Sequence, residues 1–95
     1  MSNLLDQYKP VSGTQNFTGA DAAVTITRPA GATAMLITPE GTGARLRVDG
    51  TTTTSTTGAS LQTLQPVALM DTQFANASLY LAAGTNACIE YFKRN

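Results

Sequence analysis

Short segments of alternating apolar and polar residues dominate the chain from residue 22 onward. In AAVTIT, Val24 and Ile26 fall on one face and Thr25 and Thr27 on the other, the period of a half-buried strand. ARLRVDG alternates in the same way, and TAMLITP and VALM are compact apolar runs. Turns rich in Gly and Pro separate these segments at intervals of roughly 8–12 residues. The pattern predicts an all-β fold, a single small antiparallel β-sandwich over residues 22–95.

The C-terminal segment LYLAAGTNACIEYFK predicts a hairpin with a three-residue loop over residues 84–86. This register pairs Leu79 with Tyr91 and Leu81 with Ile89, so that the apolar residues share one face. It also places Asn86 where a left-handed residue is wanted, a conformation that Asn tolerates.

Residues 1–21 differ from the rest because they are polar, broken by Gly and Pro, and without a sustained period. They predict an extended N-terminal arm that lays Leu4, Leu5, Tyr8 and Phe17 on a neighbouring subunit. A loosely ordered terminus is the alternative. If the arm makes the attachment, deletion of residues 2–17 is expected to abolish it and to leave the sandwich folded.

The segment VDGTTTTSTTGAS contains seven consecutive Thr or Ser residues, 51–57, between two glycines. A linker is disfavoured because the segments on either side are too short to bury a core alone and because Thr is stiffer than linker residues. An internal connection remains, either as a solvated loop or as an edge that pairs with a neighbouring subunit through Thr53 and Thr56. Proline at those two positions is expected to spare the fold in either case.

Charged residues make up 13% of the chain, with six basic and six acidic side chains, well below the usual share of about 25%. A neutral chain has no basic face for phosphates, so no nucleic-acid partner is expected. The single cysteine, Cys88, cannot form an internal disulfide, which favours a reducing compartment. No apolar run resembles a signal peptide or a membrane span, so no membrane partner is expected.

The sequence offers little catalytic chemistry. It has no His and one Cys, and its carboxylates are scattered, which removes the common general base and the usual metal clusters. We therefore expect no enzyme, no metal and no cofactor. A carbohydrate-binding module is a different class, in which sugars stack on exposed aromatic rings. Tyr8, Phe74 and Tyr80 are the candidates for that role, but without Trp a glycan is not the expected partner.

The order and spacing of ITRPAGATAMLITPEGTGARLRVDG, TTGASL and LYLAAGTNACIEYFKR resemble small structural proteins of tailed-bacteriophage virions. The match covers residues 22–94, and each motif is short. The resemblance implies a jelly-roll-like sandwich present in many copies on a capsid. It supplies no catalytic residues. Together with Asn86, the motif residues are interpreted as architectural turns: Pro29, Gly31, Asp49, Gly50, Gly58 and Gly84.

The function implied by the resemblance is that of a capsid decoration or cement protein, which binds the outer capsid surface and stabilises capsomer contacts. A neck, tail or head-fibre component is the alternative, and a small carbohydrate-binding module is the second. The expected partners are the major capsid protein and copies of the chain itself. The expected location is the virion, with the chain made in the host cytoplasm.

Overall fold

The computed structural model describes residues 8–94, which form eight strands and one short helix. Their bounds are β1 (Tyr8–Thr18), β2 (Ala22–Ala23), β3 (Ala34–Pro39), β4 (Ala44–Arg47), β5 (Ala59–Ser60), β6 (Val67–Met70), α1 (Thr72–Asn76), β7 (Ser78–Leu81) and β8 (Asn86–Arg94). The strands form two antiparallel four-stranded sheets. The predicted all-β sandwich is confirmed.

The strand order identifies the sandwich as a jelly roll. Sheet A has the order β1-β8-β3-β6, and sheet B has the order β2-β7-β4-β5. The first strand therefore pairs with the eighth, the second with the seventh, the third with the sixth and the fourth with the fifth. These four strand pairs follow one another as a long antiparallel ribbon, which is rolled into two layers. This is the eight-stranded double-sheet arrangement of jelly rolls. The Thr run joins β4 to β5 and so forms the tip of the ribbon.

The core lies between the sheets because each strand presents alternate residues inward. Leu79 and Leu81 of β7 face Ile89 and Tyr91 of β8, and all four are buried. Phe74 of α1 closes one end of the core and meets the Tyr91 ring edge-on, with the centroids 6.4 Å apart. The inward positions of Ala44 and Leu46, expected from the ARLR alternation, are confirmed.

Residues 8–18 belong to the sheet and are not part of an arm. They form β1, which pairs with β8 along its length around an irregularity between Val11 and Gln15. Gln15 accepts a hydrogen bond from the Tyr91 hydroxyl, and Phe17 packs against the core. The strand is not recognisable from its polar sequence. It lies at a sheet edge, where one side remains open to water and polar residues are tolerated. Deleting residues 2–17 would therefore remove most of an edge strand, contrary to the expectation from the sequence.

The predicted hairpin between the last two strands is wrong. β7 lies in sheet B and β8 in sheet A, so the apolar residues assigned to cross-strand pairs meet across the core instead. A turn joins the strands, with the Thr85 N–H donating to the Ala82 carbonyl and Gly84 at φ 83°. Asn86 is not the left-handed residue of this turn. It begins β8 and pairs with Thr18.

The remaining turn predictions are met in part. Gly31, at φ 84°, is left-handed as expected, but the Ala32 N–H donates to Pro29, which places Pro29 at the first position of the turn and not the second. AAVTIT keeps its alternation, with Val24 packed on the core, yet only residues 22–23 form a strand. Val67–Met70 is a strand as expected.

Candidate functional site

The Thr run folds back over the outer face of sheet B. Ser78 and Tyr80 point away from the core on that face, opposite to Leu79. The Thr53 N–H donates to Ser78 Oγ at 2.9 Å, and the two hydroxyls lie 2.7 Å apart. As a result, Thr53 is only 2% exposed and Tyr80 only 5%. We call residues 50–58 the Thr loop.

Hydrogen bonds fix both ends of the Thr loop, one between backbone groups and one from a side chain. At its start, the Gly50 N–H donates to the Asn76 carbonyl at 3.2 Å. At its end, Arg45 Nη1 donates to the Gly58 carbonyl at 3.0 Å. Gly58 has φ 101°, and a Cβ there would lie 2.7 Å from Thr53 Cγ2 and 2.9 Å from the Leu46 carbonyl. Only glycine allows this approach, so Gly58 is required for the loop to lie flat on the sheet.

Asp49 organises the entry into the Thr loop. Its carboxylate accepts two hydrogen bonds from Arg47, at 3.1 and 2.5 Å, and a third from the Thr51 N–H at 3.1 Å. The hydrogen bond from Arg47 is the main reason why the pKa of Asp49 lies well below its ordinary value. These bonds set the direction in which the chain leaves β4.

The two Thr residues predicted to contact a neighbour have different environments. Thr56 is exposed, at a turn closed by the Thr54 and Thr57 hydroxyls. Thr53 is buried and bonded through both its N–H and its hydroxyl, so it is unavailable to a neighbouring subunit. Proline at position 53 would remove the N–H bond to Ser78, so the expectation that it spares the fold is corrected.

Two adjoining depressions lie between the Thr loop and the segment 21–28. One, of about 350 Å³, lies between residues 24–28 and 50–52, with residues 75–78 at its base. The other, of about 270 Å³, lies between residues 21–23 and 53–55, with Tyr80 at its base. The two depressions share the same two walls. Residues 21–28 form one wall and residues 50–55 form the other. We call the pair the Thr-loop groove.

A carboxylate is held at one end of the Thr-loop groove. The Tyr80 hydroxyl donates to Asp21 Oδ1, and Asp21 itself has φ 59°, a conformation that Asp tolerates better than most residues. The hydrogen bond to Asp21, followed by burial, raises the pKa of Tyr80. Asp21 lines the groove beside Tyr80.

The arginines beside the Thr-loop groove are occupied by backbone carbonyls. Arg28 donates to the Phe74 carbonyl at 3.1 and 2.9 Å and to the Ala77 carbonyl at 3.1 Å, and its guanidinium lies 5.3 Å from the Phe74 ring centre. Arg45 is similarly committed to Gly58. The groove therefore offers hydroxyls, an amide, a carboxylate and the charged guanidinium of Arg28, whose Nε and Nη2 donors are already bonded.

The outer face of sheet A is different because no connection in the described chain covers it. Three half-buried apolar residues, Leu36, Met70 and Phe92, lie there in neighbouring strands, and Glu90 on the same face is exposed. Cys88 lies on the same face beside Thr38. Burial, and then the charges of Glu90 and Glu40, raise the pKa of the Cys88 thiol.

The other residues singled out in the sequence are dispersed. Tyr8 is half-buried at the start of β1 under the guanidinium of Arg94, 5.4 Å from its ring centre. Leu4 and Leu5 lie outside the described residues. Phe74 and Tyr80 are buried, so neither offers the exposed ring that a stacked sugar requires. Sequence reasoning missed Asp21 and Ser78 because their partners are distant along the chain.

Within residues 8–94, no group of His, Cys, Asp and Glu side chains could hold a metal ion. No helix in that part of the chain is long and apolar enough to cross a membrane. No protein-family model, curated protein or solved structure matches the chain significantly.

Proposed function

We propose that this protein is a non-enzymatic structural component of a bacteriophage virion, a capsid decoration protein that binds the outer surface of the shell. The jelly-roll fold supports the proposal, since it occurs in viral capsid domains, although it also occurs in lectins. Because fold alone does not assign function, the proposal depends on a surface of this chain.

The observation that carries the proposal is the uncovered outer face of sheet A. Leu36, Met70 and Phe92 form a half-buried apolar surface there, with Glu90 opposite Leu36 and the Arg94–Asp71 ion pair just beyond Phe92 and Met70. Sheet B has its outer face covered by the Thr loop, and this contrast supports sheet A as the proposed docking side. A charge-poor surface also limits repulsion between closely packed copies.

The test of location is the copy number of the chain in purified particles, measured by quantitative mass spectrometry. A decoration protein repeats with the capsomers over the whole shell, whereas a neck or tail ring is a single closed ring of few subunits, so the two locations predict very different copy numbers. The lower number would favour the neck or tail alternative. Absence from particles would reject the virion role.

The test of the docking face is Leu36→Asp, with Thr25→Asp as the matched control. Leu36 lies on the outer face of sheet A, and Thr25 is exposed near sheet B. The first variant is expected to lose particle binding because a charge would be desolvated at the contact, and the second to retain it. Thermal unfolding of both establishes that they fold. Equal binding by the two variants would contradict the assignment of sheet A.

A further inference from the structure

We propose that the Thr-loop groove is a binding site for a neutral oligosaccharide. This activity does not depend on the chain being part of a particle. The first depression, of about 350 Å³, is at the small end of the usual range for ligand pockets, about 300–1,000 Å³, and the second, of about 270 Å³, is just below it. Because they lie side by side between the same two walls, they suit a ligand made of repeated small units.

The polar groups of the groove match the hydroxyls of a sugar. Thr52 and Ser55 supply hydroxyls that both donate and accept, and Asn76 supplies an amide. Asp21 supplies acceptors only, so the ligand must bring donors to it. Sugar hydroxyls donate and accept from neighbouring carbon atoms, and they can satisfy such a mixed set.

The groove carries one charge of each sign. Asp21 lies at one end, and Arg28 lines the neighbouring depression, with its Nε and Nη2 donors bonded to the Phe74 and Ala77 carbonyls. Because the carboxylate and the guanidinium balance, the groove does not attract ligands of one net charge, and the hydroxyls of a neutral ligand match its remaining polar groups.

The carboxylate is held in place before any ligand arrives. The Tyr80 hydroxyl fixes one oxygen of Asp21, and Tyr80 is itself held in the floor at 5% exposure. Fixing the acceptor in advance lowers the entropy lost on binding. Half-buried Val24 lies along the neighbouring depression and gives the C–H face of a sugar ring an apolar contact. The site thus differs from the aromatic platforms considered in the sequence.

The experiment uses the full chain, labelled with ¹⁵N, and short neutral oligosaccharides of glucose, galactose, mannose and N-acetylglucosamine. We expect at least one of these to shift amide resonances in residues 21–28, 50–55 and 76–80. Asp21→Asn is expected to weaken that binding about tenfold, the loss of a charge-assisted hydrogen bond. Asn also tolerates the left-handed backbone and can accept from Tyr80, so the variant should fold.

Glu90→Gln is the matched control, because it makes the same change on the outer face of sheet A, where Glu90 is exposed. It is expected to leave saccharide binding unchanged. Three results would overturn the proposal: no binding by any of the saccharides at millimolar concentration, shifts confined to sheet A, or equal weakening by the two variants. Binding of an uncharged extended peptide in the groove, with no saccharide binding, would overturn it as well.

Discussion

The two sheets of this jelly roll have opposite outer faces. The face of sheet B is covered by the Thr loop, which buries Tyr80 and Thr53 and leaves a polar groove beside them. The face of sheet A has no cover in the described chain, and half-buried apolar residues such as Leu36 and Phe92 lie along it. One chain therefore presents two surfaces of different chemistry, back to back.

The difference follows from where the ribbon turns. The Thr loop is the tip that joins β4 to β5, and both of these strands lie in sheet B, so the tip starts and ends beside that sheet. The longest connection between the sheets, residues 24–33, also runs beside sheet B, where residues 24–28 form the other wall of the groove. The surface suited to docking and the surface suited to a small ligand are thus separated by topology.

The largest effect on this contrast is expected from Gly58→Ala. The new Cβ would clash with Thr53 and the Leu46 carbonyl, and alanine is strained at φ 101°. The expected loss in the free energy of unfolding is about 3 kcal/mol, from the left-handed backbone and from overpacking. Urea denaturation monitored by circular dichroism measures it.

Gly31→Ala is the matched control for Gly58→Ala. Gly31 has φ 84°, and nothing lies within 4 Å of its would-be Cβ. Only the backbone strain remains, about 1–2 kcal/mol. If the two variants lose equal stability, the Thr loop does not pack closely on sheet B, and the difference between the two faces is smaller than described.

A smaller effect is expected from Thr53→Val, which keeps the shape of the side chain and removes its hydroxyl. The loss of the hydroxyl contact with Ser78 is expected to cost about 1 kcal/mol in the free energy of unfolding. Thr56→Val is the control, because Thr56 is exposed and surface changes stay within about 0.5 kcal/mol. If chemical denaturation gives the same loss of stability for the two variants, the Thr53 hydroxyl does not anchor the Thr loop.

The smallest expected effect is a loss of stability at acid pH caused by protonation of the Asp49 carboxylate. Its pKa is lowered in the folded protein by Arg47 and the Thr51 N–H, so the ionised carboxylate favours the fold. This contribution is complete above the ordinary pKa of about 3.9 and is lost as the pH falls towards the lower folded value. Thermal unfolding between neutral and acid pH should show a shallower decline in Asp49→Asn than in the wild type. Identical slopes would contradict the role of the Arg47 contact.

The strand pattern was accessible from the sequence because it depends on local alternation. Ala44 and Leu46 face inward as the ARLR pattern predicts, and Val67–Met70 is a strand. The left-handed turn at Gly31 follows from the freedom of glycine. Such features depend on neighbours a few residues apart, so periodicity and turn chemistry are sufficient to identify them.

The partners of the strands were decided by the tertiary structure. The apolar residues of β7 and β8 are compatible with a hairpin and with two facing sheets. In both arrangements they lie together in one apolar environment, so the sequence pattern does not distinguish them. The edge strand β1 gave no signal, since one side of an edge is open and tolerates the polar residues around Gln15.

The groove depended entirely on the tertiary structure. Asp21 meets Tyr80 across 59 residues, and Thr53 meets Ser78 across 25. No period or motif links such pairs, and the composition of the Thr run alone describes an exposed loop. The sequence determined that the chain forms a β-sandwich of Gly-rich turns with little charge. The rolled ribbon decided which face the Thr loop covers and which face stays bare, because only long-range pairing brings the tip of the ribbon onto sheet B.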